Sequence, residues 1–456
     1  MSVIPTSILE TIGNTPLLQL TKLDTGCCSL FVKLENQNPG GSIKDRVALA
    51  MIDAAERDGL LKPGGTIVEA TAGNTGLGLA LVASQKGYKL VLVIPDKMSR
   101  EKVFHLRAMG AEIVNTRSDV GKGHPEYYQD YAERIANETG GFYVNQFCNP
   151  ANPVAHETTT APEIWAQTDG NLDAIVCGVG SGGTITGLSR YFERVAPHVE
   201  MVLADPKGSI LVDYIKTNVV RTDAGSWLVE GIGEDFIPSI ADLSRVKNGY
   251  TVTDGESFHA ARELLLKEGI LGGSSAGTLI AAALRYCRDQ TSPKRVVTFI
   301  CDSGNKYLSK MFNDYWMIDH GFITRPKVGD LRDLISRRHD ERATITVGPD
   351  DRVATAMHRM KIYDISQLPV VEGEKIVGMV DEYDLLLTVT QGASSLKKEV
   401  KEVMTQRLIT VAPSAPISEL MPIFDRGEVV IVEDSGRFLG LITKMDVINY
   451  LRQQLA

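Results

Sequence analysis

The feature that most constrains the fold is a regular alternation of short apolar runs with helical patterns between about residues 40 and 305. The runs are four to six residues long and rich in Val, Ile and Leu, and they lie at 66–69, 90–95, 112–115, 174–177, 201–204 and 296–300. Strands that are buried on both faces have this composition, and strands that alternate with helices form parallel sheets. The pattern therefore predicts an α/β fold with parallel sheets.

The last third of the chain contains an internal repeat. ITVGP at 345–349 returns as ITVAP at 409–413, and IVGMV at 376–380 returns as FLGLI at 438–442. The charged run at 337–342 is typical of a solvated linker. We therefore predict a first domain at 1–322, a linker at 323–343, and two repeats at 344–393 and 394–456 that bury their sheets against each other.

Composition narrows the functional classes. The 456-residue chain has a formal net charge of −9, whereas nucleic-acid binding needs clustered Lys and Arg. No apolar run approaches the roughly 20 residues of a membrane span, and the first residues lack the pattern of a signal peptide. Six cysteines without a Cys-x-x-Cys pair or a His cluster indicate reduced thiols and no metal site. We expect a cytoplasmic protein that binds neither nucleic acid nor a membrane.

Two polar, glycine-rich segments precede helical patterns in the first part of the chain. The segment 40–46 (GGSIKDR) puts Lys44 at a helix start, where the dipole disfavours a cation and favours the free amine that Schiff-base chemistry needs. A surface lysine is the alternative. The segment 71–76 (TAGNTG) follows an apolar run, and such a loop aims N–H groups and hydroxyls at an anion. An ordinary polar turn has the same composition.

Two similar segments follow. The segment 178–184 (GVGSGGT) follows the run 174–177 and has the position and composition of a phosphate cradle. It also satisfies Gly-x-Gly-x-x-Gly, with Asp205 about where the ribose-binding acid of a dehydrogenase would lie. The segment 272–277 (GGSSAG) would let a flat ring approach closely, and small-residue helix packing is its alternative. Spacing alone does not show that the four segments form one site.

In order and in wording, the four segments resemble the fold-type II pyridoxal phosphate enzymes of the cysteine synthase and cystathionine β-synthase group. The similarity runs from Gly13 to Met317 and implies a tryptophan synthase β-like catalytic domain with parallel sheets. It implies that Lys44 is the catalytic residue and binds pyridoxal 5'-phosphate as a Schiff base. The other implied cofactor-binding residues are Asn74, Gly180, Ser181, Gly182, Gly183, Thr184 and Ser275. The implied substrate-binding residues are Thr71, Ala72, Thr75, Gln146, Glu230 and Gly231.

The resemblance also implies replacement of the β-substituent of an amino acid. Segments 95–103 (PDKMSREKV), 229–238 (VEGIGEDFIP) and 302–305 (DSGN) favour the cystathionine β-synthase branch. That branch condenses L-serine with L-homocysteine to L-cystathionine and water, and releases hydrogen sulfide from cysteine plus homocysteine. Glu230 and Asp235 would suit the charged groups of homocysteine. A cysteine synthase, which adds sulfide to O-acetylserine, and a ligand-sensing scaffold with a vestigial catalytic domain are the alternatives.

The C-terminal repeats resemble a tandem CBS-domain (Bateman) module, which often binds adenosyl ligands. Thr443 and Asp446 fit its ribose motif in the second repeat, whereas Asp381 replaces the hydroxyl residue in the first. An intact motif permits S-adenosylmethionine to bind without implying activation. The resemblance implies a homodimer, because the hairpin at 433–438 is too short for the insertion that forms tetramers in some animal members. No haem is expected, because the chain starts almost at the catalytic domain.

Overall fold

The structure is a computed structural model that describes residues 4–71, 73–96, 100–117, 119–120 and 123–455. Its contacts divide the chain into two compact units, Met1–Phe312 and Asn313–Ala456. The strands of the first unit are β1 (Leu17–Gln19), β2 (Ser29–Lys33), β3 (Thr66–Glu69), β4 (Lys89–Pro95), β5 (Glu112–Thr116), β6 (Phe142–Tyr143), β7 (Ala174–Gly178), β8 (Glu200–Pro206), β9 (Val246–Val252) and β10 (Arg295–Phe299). Its α-helices are α1 (Lys44–Arg57), α2 (Asn74–Lys86), α3 (Arg100–Ala108), α4 (Tyr128–Thr139), α5 (Ala151–Ala155), α6 (Ala161–Gln167), α7 (Gly183–Val195), α8 (Leu211–Thr217), α9 (Asp254–Glu268) and α10 (Ser274–Arg288).

The strands of the first unit form two sheets. The larger has the order β1-β2-β10-β7-β8-β9, and within it β1 pairs antiparallel while the other pairings are parallel. The smaller has the order β5-β4-β3-β6 and is parallel throughout. Five of the six predicted apolar runs lie within one of these strands, and the sixth, 296–300, extends one residue beyond β10. The interiors of β4 and β8 are buried. The predicted α/β fold with parallel sheets is confirmed.

This topology determines where a ligand can bind. Because the strands are parallel, their carboxyl ends meet at one edge of each sheet, and the loops that follow them lead into helix N-termini there. The chain passes from β3 into α2, from β7 into α7 and from β10 into a 3-10 helix at Gly304–Tyr307. The segments 71–76 and 178–184, which follow β3 and β7, therefore lie at the carboxyl edges of the two sheets.

The second unit contains the two predicted repeats. Its elements are α11 (Asp314–Asp319), a 3-10 helix (Leu331–Leu334), α12 (Val353–Tyr363), β11 (Gln367–Glu372), β12 (Lys375–Asp381), α13 (Glu382–Val389), β13 (Thr410–Val411), α14 (Met421–Asp425), β14 (Val430–Asp434), β15 (Arg437–Ile442) and α15 (Lys444–Leu455). Each repeat has an antiparallel hairpin followed by a helix. Met379, Ile431 and Phe438 form a buried cluster between the two hairpins.

Part of the predicted linker belongs to a hydrophobic core. Leu331, Leu334 and Ile335 are buried with residues of the second repeat, although they precede the first repeat in the chain. In the same way, Val400 lies within the predicted second repeat and is buried in the core of the first. The segment 331–335 was predicted as part of a solvated linker. It differs because its apolar side chains are buried in the core of the second repeat. No helix in the described part of the chain combines the length and the hydrophobicity that a membrane crossing requires.

Candidate active site

Most predicted site residues of the first unit line one cavity of about 490 Å3 at the carboxyl ends of the strands. The predicted residues that line it are Lys44, Thr71, Asn74, Thr75, Gln146, Gly180, Ser181, Gly182, Thr184, Gly231 and Ser275. Gly183 follows Gly182 in the segment 178–184, which we call the phosphate loop, and it is the first residue of α7. Ala72 lies outside the described residues. The structure therefore brings the four segments together at one site. Their spacing in the sequence could not establish this.

Lys44 is the first residue of α1, and its side chain faces this cavity. Burial lowers the pKa of the Lys44 ammonium, and the nearby Cys301, Cys177 and Asp302 oppose this effect only in part. The positive end of α1 disfavours a cation at the same position. Both effects favour the neutral amine, which is the form that attacks a carbonyl group or removes a proton.

Asn74 begins α2 and has its side-chain amide held from both ends. Its Nδ2 donates to Asp302 Oδ2 over 2.9 Å, and its Oδ1 accepts from Lys306 Nζ over 2.6 Å. Asp302 is fully buried and also accepts from Tyr307 Oη over 2.9 Å. A carboxylate can only accept and an ammonium can only donate, so the amide has one orientation. Among the described residues, the second Nδ2 hydrogen has no acceptor, and it remains for a ligand in the cavity.

The loop 71–76, which we call the asparagine loop, is hydrogen-bonded to the segment that follows β6. Thr75 Oγ1 donates to Gln146 Oε1 over 2.6 Å, and the N–H of Gly73 donates to Thr71 Oγ1 over 3.1 Å. Beneath them, the buried Glu69 accepts from the N–H groups of Ala70 and Gln146, at 2.9 and 3.2 Å. Burial raises the pKa of Glu69 to about 7, although these hydrogen bonds oppose the rise. Hydroxyls, an amide and a helix N-terminus together form a site for a carboxylate.

The phosphate loop requires glycine for steric reasons. A Cβ at Gly180 would lie 2.5 Å from the carbonyl oxygen of Gly231, and a Cβ at Gly183 would overlap Asn152 Oδ1. Gly182 has a φ of +87°, which favours glycine. Asn152 Nδ2 donates to Ser181 Oγ over 2.9 Å, and His156 Nε2 lies 3.2 Å from Thr184 Oγ1. The loop is therefore a preformed cradle of N–H groups and oriented hydroxyls at the N-terminus of α7.

The residues present fit pyridoxal phosphate. The cradle at 180–184 suits its phosphate, Lys44 suits its aldehyde carbon, and the free hydrogen of Asn74 suits an oxygen on its ring. Ser275 is 4% exposed at the start of α10 and lines the same cavity, where its hydroxyl suits a largely neutral ring nitrogen. The donor set thus has a partner for each polar part of the cofactor.

Glu230 lies outside this cavity lining. Its carboxylate pairs with Lys102 Nζ and, over 2.8 Å, with Lys310 Nζ, and these ammonium groups lower its pKa although burial opposes them. The lining residues of this loop are Gly231 to Asp235, and they include Glu234. Sequence reasoning also did not assign a role to Lys306. Asp302 lies three residues after the end of β10, and its position after a parallel strand was a usable signal.

Asp205 does not serve as a ribose-binding acid at this cavity. It is 1% exposed, and its Oδ2 accepts from the N–H of Val212 over 3.1 Å near the start of α8. The dehydrogenase alternative therefore loses its acidic residue. The scaffold alternative is disfavoured because Lys44, Asn74 and Ser275 line one cavity.

The second unit has a cavity of about 450 Å3 that includes Thr443 and Asp446 in its lining. Thr443 Oγ1 donates to Asp446 Oδ2 over 2.6 Å, and Ser336 Oγ donates to Asp446 Oδ1. Asp319 also lines it. In the first repeat, Asp381 accepts from the N–H of Asp384 over 2.8 Å and caps α13. The two repeats therefore differ at the motif position, as the sequence indicates.

Comparisons with known proteins agree with this site and module. Residues 8–302 match the family model of the pyridoxal-phosphate dependent enzymes, and residues 331–390 and 400–453 each match that of the CBS domain. A cystathionine beta-synthase of Apis mellifera is 35% identical over 97% of this chain and 90% of its own length. A cysteine synthase 1 of Emericella nidulans is 40% identical over 69% of this chain and 86% of its own. The crystal structure of a hydrogen sulfide-producing enzyme from Fusobacterium nucleatum has a TM-score of 0.63 and 36% identity, over 67% of this chain and all of its own.

The fold and the site thus define a pyridoxal-phosphate dependent enzyme of fold type II that carries two CBS domains. The catalytic match alone is shared with cysteine synthases, whereas the match to cystathionine β-synthases extends over both units. This chain belongs to the cystathionine β-synthase family.

Proposed function

We propose that the protein condenses L-serine with L-homocysteine to give L-cystathionine and water. The observation that carries this proposal is the meeting of Lys44, the asparagine loop and the phosphate loop at one cavity, in a chain whose relatives named cystathionine β-synthase match both of its units. The direct test is formation of cystathionine by the purified enzyme from serine and homocysteine. Absence of cystathionine with the cofactor bound would contradict the proposal.

Cofactor and protein residues have separate roles in the proposed reaction. Pyridoxal phosphate, when bound, supplies an electron sink for charge that develops at the substrate Cα. Lys44 Nζ would hold the cofactor, and as a neutral amine it would take the proton from the substrate Cα and later return it. The N–H groups of 180–184 would hold the phosphate. Thr71, Thr75 and Gln146 bind the substrate carboxylate at the N-terminus of α2.

A cysteine synthase is the second candidate, supported by the match to the Emericella nidulans enzyme over the catalytic unit. The two candidates differ in the leaving group and in the thiol. The discriminating experiment compares kcat/KM for serine plus homocysteine with kcat/KM for O-acetylserine plus sulfide, on one enzyme preparation. A clearly higher value for the second pair would make this protein a cysteine synthase. Release of sulfide from cysteine plus homocysteine is expected for the first function.

We also propose that the enzyme works in the cytoplasm and without haem. Its six cysteines are free thiols, as suits a reducing compartment, and the chemistry above gives haem no task. Iron analysis of the purified holoenzyme tests this part, and a stoichiometric iron content would contradict it.

A homodimer is the proposed assembly. Supporting it, β14 and β15 are joined by Ser435 and Gly436 alone, both with positive φ, which makes a tight two-residue hairpin and not a protruding insertion. Light scattering of the full chain should give twice the chain mass. A tetramer as the dominant species would contradict this.

We propose that Thr443 and Asp446 form the ribose-binding part of an adenosyl-ligand site, and that filling it does not by itself activate the enzyme. Its support is the cavity of about 450 Å3 around these residues. A ligand activates only through different affinities for two domain arrangements. Calorimetry and turnover with S-adenosylmethionine provide the test. Micromolar binding with several-fold activation, lost in Asp446→Ala, would contradict the second statement.

A further inference from the structure

The cavity contains a carboxyl group that the reaction scheme above does not use. Glu234 follows Gly233 in the loop at 229–238, and it lines the cavity together with Lys44. Its N–H donates to Ser209 Oγ and its carbonyl oxygen accepts from the N–H of Ile210, both over 3.1 Å. The backbone at Glu234 is thus held by two residues that follow β8, and this fixes where its side chain enters the cavity.

The surroundings of this carboxyl favour its protonated form. Burial and the neighbouring carboxylates of Asp235 and Asp205 raise the pKa of Glu234 to about 8, and the Lys44 ammonium opposes the rise. The other titratable groups that face it are the phenols of Tyr127 and Tyr128, which add no positive charge. Within the described part of the chain, its carboxyl oxygens have no hydrogen-bond or ion-pair partner. At neutral pH the group therefore holds a proton that it can give away.

The proposed reaction needs such a proton at one place. Hydroxide is a poor leaving group, so the oxygen of serine must be protonated as its bond to Cβ breaks. Lys44 Nζ is occupied at that moment with the proton from Cα. A carboxylic acid with a pKa near the working pH is an efficient donor in such a step.

We infer that Glu234 is the general acid that protonates the departing hydroxyl group of serine, and the base that afterwards accepts the thiol proton. This inference rests on the proposed function. In the first half, the carboxyl proton of Glu234 bonds to the serine oxygen, the Cβ–O electron pair goes to that oxygen, and water leaves. In the second half, the homocysteine S–H proton passes to the Glu234 carboxylate while a sulfur electron pair forms the bond to Cβ, and Lys44 Nζ returns its proton to Cα. Both groups end as they began.

The test compares two first substrates in the first half-reaction, without thiol. Serine needs a proton on its leaving group, whereas β-chloroalanine loses chloride unaided. In stopped-flow absorbance experiments on the holoenzyme, Glu234→Gln should slow the serine reaction about 100-fold or more and the β-chloroalanine reaction less than about threefold. Glu263→Gln, the same substitution at a glutamate of α9 whose side chain is 46% exposed, is the matched control and should leave both rates unchanged.

Two further measurements keep the test decisive if the glutamine variant binds cofactor poorly. In the wild-type enzyme, the ratio of serine to β-chloroalanine rates should fall as pH rises through about 8, because the donor is lost while effects on Lys44 are common to both substrates. Infrared difference spectra should show a protonated carboxyl band at pH 7 that Glu234→Asp retains and Glu234→Gln lacks.

The outcomes distinguish a failure of this inference from a failure of the proposed function. Equal losses with both first substrates would mean that Glu234 only shapes the cavity, and a change confined to the KM for homocysteine would make it a binding group for the thiol substrate. Either result overturns the inference. A wild-type enzyme that accepts O-acetylserine but not serine would instead refute the proposed function, before any variant is made.

Discussion

Replacing Arg46 should destabilise the catalytic unit strongly, because this arginine joins two carboxylates away from water. Its Nε and Nη2 donate to Glu35 over 2.8 and 2.9 Å, and its Nη1 and Nη2 each donate to Glu163 over 2.7 Å. The side chains of Arg46 and Glu35 are 2% and 0% exposed. Breaking such a buried pair leaves a charge without a partner and typically costs about 3–5 kcal/mol. We expect this loss of unfolding free energy for Arg46→Met at pH 7.

The pKa of Glu163 gives a second measure of the same network. Burial would raise this pKa, but Arg46, with smaller contributions from Lys33 and the N–H of Asn14, lowers it from its usual 4.5 to about 2. That difference corresponds to about 3 kcal/mol of stability. Because the folded-state pKa is depressed, this stability is present above about pH 5 and is lost as pH falls towards 2. The difference in unfolding free energy between wild type and Arg46→Met should therefore become smaller below pH 4.

The assay is urea unfolding of the holoenzyme, followed by the cofactor absorbance so that the signal reports the catalytic unit. Arg57→Met is the matched control on the same helix, because its side chain is 71% exposed and pairs only with the exposed Asp58. The control should lose less than about 1 kcal/mol. An Arg46→Met variant that behaves like the control, or whose deficit does not depend on pH, would refute the reasoning.

Three other variants test the cofactor site. Lys44→Ala should lose the Schiff-base absorbance and essentially all turnover, since anchor and base disappear together, and near-normal turnover would contradict the assignment. Gly183→Ala should bind cofactor much more weakly, because its Cβ would overlap Asn152 Oδ1, and unchanged affinity in a fluorescence titration would contradict the cradle. Asp302→Asn should weaken cofactor binding by about tenfold through loss of a charged hydrogen-bond acceptor for Asn74, with a shifted cofactor spectrum as a second readout.

The sheets could be predicted well because their signal is local. β3 occupies the predicted residues 66–69, and β7 extends the predicted run 174–177 by one residue to Gly178. Strands that are buried on both faces need apolar residues at every position, so a short apolar run between glycine-rich segments identifies them without any periodicity. The positions of the loops that carry the site followed from the same runs.

The contacts within the site could not be predicted, because they join distant parts of the chain. Asn74 meets Asp302 and Lys306, which are 228 and 232 residues away. In the loop at 229–238, resemblance pointed to Glu230, whereas Glu234 is the glutamate that lines the cavity. The direction of each side chain there depends on Gly231 and Gly233, whose φ angles of +86° and +87° turn the backbone in ways that composition does not reveal.

The segment at 331–335 shows the limit of charge as a boundary signal. The charged run at 337–342 suggested a solvated linker, but Leu331, Leu334 and Ile335 have the spacing of an apolar helical face and are buried. Because they pack on the second repeat while preceding the first, no local pattern could show what covers them. Domain limits drawn from composition therefore miss segments that are exchanged between repeats.

The parallel sheets also explain why one cavity both binds anions and holds a basic lysine. The helices α1, α2, α7 and α10 begin at Lys44, Asn74, Gly183 and Ser274, and each start lies at or directly beside residues that line the cavity. Each N-terminus carries roughly half a positive charge. Together they attract the cofactor phosphate and the substrate carboxylate, and they disfavour the ammonium form of Lys44. Burial acts in the same direction on Lys44. The arrangement that favours anions at this cavity therefore also favours the neutral amine of Lys44, which is the form that the proposed reaction requires of its base.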